Sequence, residues 1–261
     1  MPIYRPAVLL AALLAAGAGA WWLLRRIGEV PAGDGPPGCA AVPEGRASEE
    51  AASFGSRATV AERVGQCGKA ARERLAPAFR AAGVSYPPER FLLAGFKAEK
   101  ELHLFASGSG RAPIFVKAWP ILAASGRLGP KLREGDGQVP EGLYRIESLN
   151  PNSLFHLSLR LDYPNASDRA RGREDGRSRL GGDIMIHGGA ASIGCIAVGD
   201  VAIEELFVLA ADAGWEKARV VLSPVDFRRR ALPADFRSPA PWTSALHAEL
   251  RAAVTALPRG P

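Results

Sequence analysis

IMIHGGAASIGCIAVGD, residues Ile184–Asp200, is the stretch whose reading organises the rest of the chain. Ile184 and Ile186 alternate with Asp183, Met185 and His187, the period of a strand with one face turned to a core. His187 stands where strand gives way to loop. The next four residues, Gly188 to Ala191, are all Gly or Ala, and Ser192-Ile193-Gly194-Cys195 comes directly after them. The chain has 261 residues with four histidines and three cysteines, and it sets one of each eight positions apart amid small residues.

A cysteine nucleophile needs a base, because a free thiol is mostly protonated at neutral pH. It needs backbone N–H groups aimed at a developing oxyanion, and open approach for the acyl donor. His187 is the candidate base and Cys195 the candidate nucleophile. Gly194 allows a tight turn before Cys195, so the amides at 194 and 195 are candidate oxyanion donors. Gly188 and its small neighbours keep the approach open, and Ser192 is placed to hydrogen-bond near His187 or a substrate. The competing reading is a buried histidine beside a structural cysteine. The glycine directly before the cysteine, the strand-end histidine and Ser192 favour the catalytic pair. Cys67, His156, His187 and Cys195 show no CxxC or HxxxH spacing, so neither a metal nor another cofactor is expected.

Around this stretch the pattern is mainly β. Strand-like runs at 90–97, 101–107, 112–119, 142–149, 153–161, 183–188, 195–198 and 218–227 are separated by Gly-, Pro- and Asn-rich turns. No βαβ alternation is present, which argues against a doubly wound parallel sheet. Three helices are expected: 58–84, with apolar residues recurring at three and four; 200–214, capped by Asp200 and ended by Gly214; and 243–257. The fold class is therefore α+β, mainly β with a few helices. In "SLFHLSLRL", His156, Ser158 and Arg160 share the polar face by alternation, which makes His156 and Arg160 candidates for lining a cleft. Lys131, in the long Gly-rich loop, is a candidate contact for a substrate carboxylate. His103 and His247 read as bystanders.

"IHGG…S-x-G-C" resembles the signature of the L,D-transpeptidase (YkuD-type) catalytic domain. "SGRLGPKLREGDGQVPEGLYRI", "LNPNSLFHLSLRLDYPN" and "AIEELFVLAADA" are similar to the YafK-like branch of that family, as is the short His-to-Cys spacing. The similarity covers roughly 91–227. It implies a β-rich domain with a mixed sheet and a cleft, and an acyl-enzyme on Cys195 with His187 as base. The implied substrates are peptidoglycan stem peptides, with a peptidoglycan-linked lipoprotein as a further implied partner. An amine acceptor would make this a transferase; water would make it a hydrolase or amidase that trims stems or releases lipoprotein. A non-catalytic cell-wall binding module is the third reading. Ala197 occupies a position where many relatives in the wider family carry Arg, so carboxylate recognition would have to come from elsewhere.

The remaining features bear on location. Ala7–Leu24 is an uncharged apolar run of eighteen residues, readable as a signal peptide cut after Ala20 or as an inner-membrane anchor. Arg25 and Arg26 oppose export of the chain beyond them, but the implied substrate lies in the periplasm or cell envelope. The division read from sequence is 1–24 leader or anchor, 25–57 linker, 58–89 helical segment, 90–227 catalytic domain and 228–261 extension. Cys39 and Cys67 could pair, leaving Cys195 alone. Net charge is +6, but the basic residues are scattered without interleaved aromatics, so no nucleic-acid partner is expected.

Overall fold

In the computed structural model, residues 57–260 are described. The 7–24 run, most of the linker and Cys39 lie outside them. Cys67 is disulfide-bonded. No helix among the described residues is long and apolar enough to cross a membrane.

The chain forms two five-stranded sheets. Strands β1 (Arg90–Phe96), β2 (Glu101–Ser107) and β3 (Ile114–Pro120) form a meander, and the first sheet runs β3-β2-β1-β10-β5, with β5 at Gly142–Tyr144 and β10 at Arg219–Ser223. The second runs β4-β9-β8-β7-β6, from β4 (Ala123–Ala124), β6 (Ile146–Ser153), β7 (His156–Leu161), β8 (Met185–His187) and β9 (Ile196–Ala197). Both sheets are mixed: β1 pairs parallel to β10, and β8 parallel to β9. The α+β class expected from the sequence is the architecture found.

Helix α1 (Val60–Ala82) begins with a capping box between Thr59 and Glu62 and ends on left-handed Gly83. Its Cys67, Ala71, Leu75 and Phe79 are buried in the main core. Helix α2 (Ala166–Glu174) starts from an Asn165 N-cap, and α3 spans Asp200–Ala213. Ten residues of α3 are buried, around its whole circumference. A helix so enclosed is a core element rather than a surface one. It carries two buried carboxylates, Glu204 and Glu205, which require partners. Arg74 of α1 reaches both, and Lys117 and Trp119 of β3 reach Glu205. Arg72 of α1 forks onto Asp212 at 2.7 Å through two nitrogens.

A second core lies on the other side of the first sheet. Helix α4 (Thr243–Thr255) inserts Leu246, Leu250 and Val254 against Phe96, Phe105 and Val221. The N-terminal helical segment and the C-terminal extension are thus both built into the cores that carry the sheets.

Candidate active site

The candidate site lies along the parallel β8–β9 pair, with His187 at the end of β8 and Cys195 just before the start of β9. Ile186 is registered with Ile196 and His187 with Ala197. One step back along both strands sets Cys195 beside Met185. Cys195 directly precedes β9, so continuing the strand's alternation by one residue would turn its side chain to the face of His187. Ser158 of β7 pairs with His187, and Arg160 pairs with Met185, so both belong to this face.

His187 is buried and held from two sides. Its ring stacks on Phe155 with centroids 4.5 Å apart. Its Nδ1 lies 2.6 Å from the Gly188 carbonyl oxygen, which can only accept, so Nδ1 carries the proton. The unprotonated nitrogen is then Nε2. Burial pushes the imidazole pKa below its ordinary value, so the ring rests neutral near pH 7.

Gly188 is required where it stands. A Cβ there would lie 2.5 Å from Asp200 Oδ1 and 2.6 Å from the Phe155 carbonyl. Asp200 Oδ1 accepts the Gly189 amide at 2.8 Å, which ties the loop after His187 to the start of α3.

Cys195 is partly exposed and carries a free thiol. Its Sγ donates to the Asp183 carbonyl at 3.5 Å. Burial pushes the thiol pKa up, and the Asp183 charge adds to this; the Met185 amide and the Lys131 ammonium pull the other way without cancelling it. No hydrogen bond joins His187 to Cys195. The resting pair is a neutral imidazole and a neutral thiol, with the sulfur parked toward Asp183. Catalytic hydrogen bonds commonly tighten only once substrate is bound.

The turn before the cysteine is braced through Ser125, a residue the sequence did not single out. Gly194 has φ +95°, which a β-carbon would strain. Its amide donates to Ser125 Oγ at 2.6 Å, and is thereby committed to that serine. Ser192 Oγ donates to the Cys195 carbonyl at 2.6 Å and accepts the Ser125 amide at 3.2 Å. Ser192 is thus a brace of the turn, and of the two expected oxyanion donors the Cys195 amide is the candidate that stays in play.

Two other expected contacts are placed elsewhere. His156 has φ +69° at the β6–β7 turn, which breaks the alternation that would have aimed it at the cleft. Its Nε2 lies 3.1 Å from Glu204 Oε1 of α3, making it a partner for a buried carboxylate. Lys131 is buried, with Nζ on Asp136 Oδ1 at 2.5 Å and on the Arg133 carbonyl at 2.9 Å, so it is not presented to a substrate. Cys67, His156 and Glu204 have ligand atoms within 4.8 Å of one another. A disulfide sulfur is no thiolate, so this trio does not make a metal site.

Arg160 lies on the expected face, paired with Glu147 at 2.6 Å and with Asp183. It borders a groove of ≈ 430 Å³ that also includes Arg169, Asp162, Gly181 and Gly182. No ion pair involves Arg169 among the described residues.

A raised thiol pKa has a direct consequence. Alkylation of Cys195 by iodoacetamide is expected to run slower at neutral pH than for an unperturbed cysteine. It should climb about tenfold per pH unit into the alkaline range, because only the thiolate reacts. A rate that is flat between neutral and alkaline pH would mean that the thiolate is already formed at rest.

His187 at the end of β8 and the free Cys195 just before β9 lie near a glycine-supported turn. Residues 97–222 match the family model of the YkuD L,D-transpeptidase catalytic domain. Among curated proteins, YafK of Escherichia coli (strain K12), whose name assigns it to the L,D-transpeptidases, is 39% identical over 114 residues. The match covers 43% of this chain and 44% of YafK, so the chain spans under half the length of that relative. YafK of Escherichia coli O157:H7 matches equally. Among solved structures, the helical cell shape determining protein Pgp2 from Campylobacter jejuni is 23% identical with a TM-score of 0.43, over 52% of this chain and 48% of its own. Bd1075 of Bdellovibrio bacteriovorus is 17% identical with a TM-score of 0.38, over 64% and 54%.

Proposed function

We propose that this chain is a cell-wall enzyme that works through an acyl-enzyme on Cys195, with His187 as its base, on peptidoglycan stem peptides. The observation that supports the reading is the β8–β9 register, which brings the strand-end histidine beside the segment that carries Cys195, together with the Gly188 carbonyl that leaves His187 Nε2 as the basic nitrogen.

The chemistry is set by that tautomer. A rotation about χ1 brings Sγ from Asp183 toward Nε2. The imidazole takes the thiol proton as sulfur attacks the substrate amide carbonyl. The Cys195 amide faces the developing oxyanion. Collapse expels the amine, which takes its proton from the imidazolium, and a thioester remains. An incoming amine reverses this sequence to give a new amide; water gives the free acid and hydrolysis. Arg169, in the groove that Arg160 borders, is the proposed contact for a substrate carboxylate, in place of the cation absent at Ala197; Arg160 itself is held by Glu147 and Asp183. A peptidoglycan-linked lipoprotein fits the same chemistry as amine donor or acceptor. Such substrates place the protein in the periplasm or elsewhere in the cell envelope, exported or anchored through 7–24.

The test is to incubate the full chain with defined muropeptides and weigh the products. Loss of a terminal residue with gain of an amine shows transfer, and addition of water shows hydrolysis. Unchanged muropeptides that remain bound would replace both with a binding module.

A further inference from the structure

We infer that His247, on the C-terminal helix α4, is a positioning residue for the Cys195 site. The inference rests on the proposed role of Cys195 as the attacking atom, but the connection itself is geometric. The segment between β4 and β5, residues 125–141, is a strap across the turn that presents the cysteine. Its serine end touches that turn: Gly194 N–H donates to Ser125 Oγ, and Ser125 Oγ donates to the Gly137 carbonyl at 2.7 Å. Gln138 then clamps the two limbs of the strap. Its Nε2 donates to the carbonyls of Arg127 at 2.5 Å and Gly129 at 2.7 Å, and its Oε1 accepts the Arg127 amide at 3.0 Å.

The far end of the strap is fastened to one buried ion pair. Lys97 Nζ donates to the Gly129 and Val139 carbonyls, at 2.9 and 3.0 Å, and to Glu141 Oε1 at 3.0 Å. Glu141 Oε1 also accepts the Gly129 amide at 2.6 Å. The other carboxylate oxygen, Oε2, lies 2.7 Å from His247 Nε2, which donates to it. Glu141 is 1% exposed. Burial pushes its pKa up, yet His247, Lys97 and the Gly129 amide together hold it below the usual range. Without the imidazole, Oε2 would be a buried charged oxygen with no donor. The carboxylate would then turn or draw in water, and its grip on Gly129 would loosen. His247 lies beyond residues 97–222, so the transpeptidase-type segment borrows part of its rigidity from the C-terminal extension.

The test uses the full chain with His247→Phe, which keeps a ring of similar bulk without a donor, and His247→Gln, whose side-chain amide can donate to Oε2. Two quantities are read at fixed pH: the alkylation rate of Cys195 by iodoacetamide, tracked by peptide mass, and kcat with KM on a muropeptide. A misplaced reacting group costs up to about 100-fold. With His247→Phe we expect kcat to fall about tenfold or more, KM to stay within about twofold and alkylation to shift about threefold; His247→Gln should restore all three. Wild-type values in His247→Phe would overturn the inference, as would equal impairment in both variants, which would indicate packing alone. If His247→Phe does not fold, His247→Asn, too short to reach Oε2, is read in its place by the same criteria. If the wild-type protein turns over no muropeptide, the proposed function fails, while the alkylation comparison still decides the role of His247.

Discussion

Cys195→Ala should leave a folded protein with no detectable acyl transfer, a loss of about four orders of magnitude or more, as expected when a covalent nucleophile is removed. Folding should survive because the side chain is partly exposed and its hydrogen bond to the Asp183 carbonyl, at 3.5 Å, is long. The brace of the turn uses the Cys195 carbonyl and the Gly194 amide, both of which remain. Cys195→Ser is expected to be nearly as inactive: a hydroxyl is far harder to deprotonate than a thiol, and a neutral imidazole with a lowered pKa is a weak base for it. The measurement is product mass after muropeptide incubation, beside a thermal melt that confirms folding. Full turnover in Cys195→Ala would remove the acyl-enzyme from consideration.

His187→Gln should reduce turnover by about 10²- to 10⁴-fold, the range supplied by a positioned general base. The pH dependence distinguishes this from a packing defect. Burial lowers the His187 pKa, so in the wild-type protein the base is lost only as pH falls below the ordinary imidazole range. The acid limb of kcat/KM should therefore lie at lower pH than an unperturbed histidine would give. In His187→Gln that limb should vanish. The residual rate should instead climb steadily with pH, because only solvent hydroxide can then make the thiolate, whose formation burial disfavours. An unchanged acid limb in the variant would assign the titration to another group.

These effects rest on features that were legible to different degrees. The strands β1, β2, β3 and β10 and helices α1, α3 and α4 are announced by apolar periodicity and lie close to where the sequence places them, although α3 takes Gly199 and not Asp200 as its N-cap; the 153–161 run is split by a turn, and β7 starts at His156. Their apolar and turn patterns are local along the chain. Helix α2 did not show itself: Gly172 is its one buried residue, so it has no apolar stripe to read, and its Asn165 cap looks like a turn. The two-residue strands β4 and β9 are too short to carry a period.

The site divides in the same way. His187, Cys195, Gly188, Ser192 and Gly194 could be picked out because they lie within nine residues of one another and their chemistry is local. Ser125, Asp183, Phe155 and Asp200 could not, because each matters through a contact made across strands. His156 shows the limit of alternation: a single left-handed residue redirects the side chain to α3. Lys131, read as open to a substrate, closes on Asp136 once the loop folds back.

By itself the sequence determined the α+β class and the order of the main strands and helices and drew attention to His187 and Cys195, because each depends on spacing along the chain. Only the tertiary structure decided the β8–β9 register, the commitment of the Gly194 amide to Ser125, the His187 tautomer and the link from α4 to the strap. Each of these is a hydrogen bond or strand pairing whose partner the chain brings close only on folding, and no local pattern names a partner in advance.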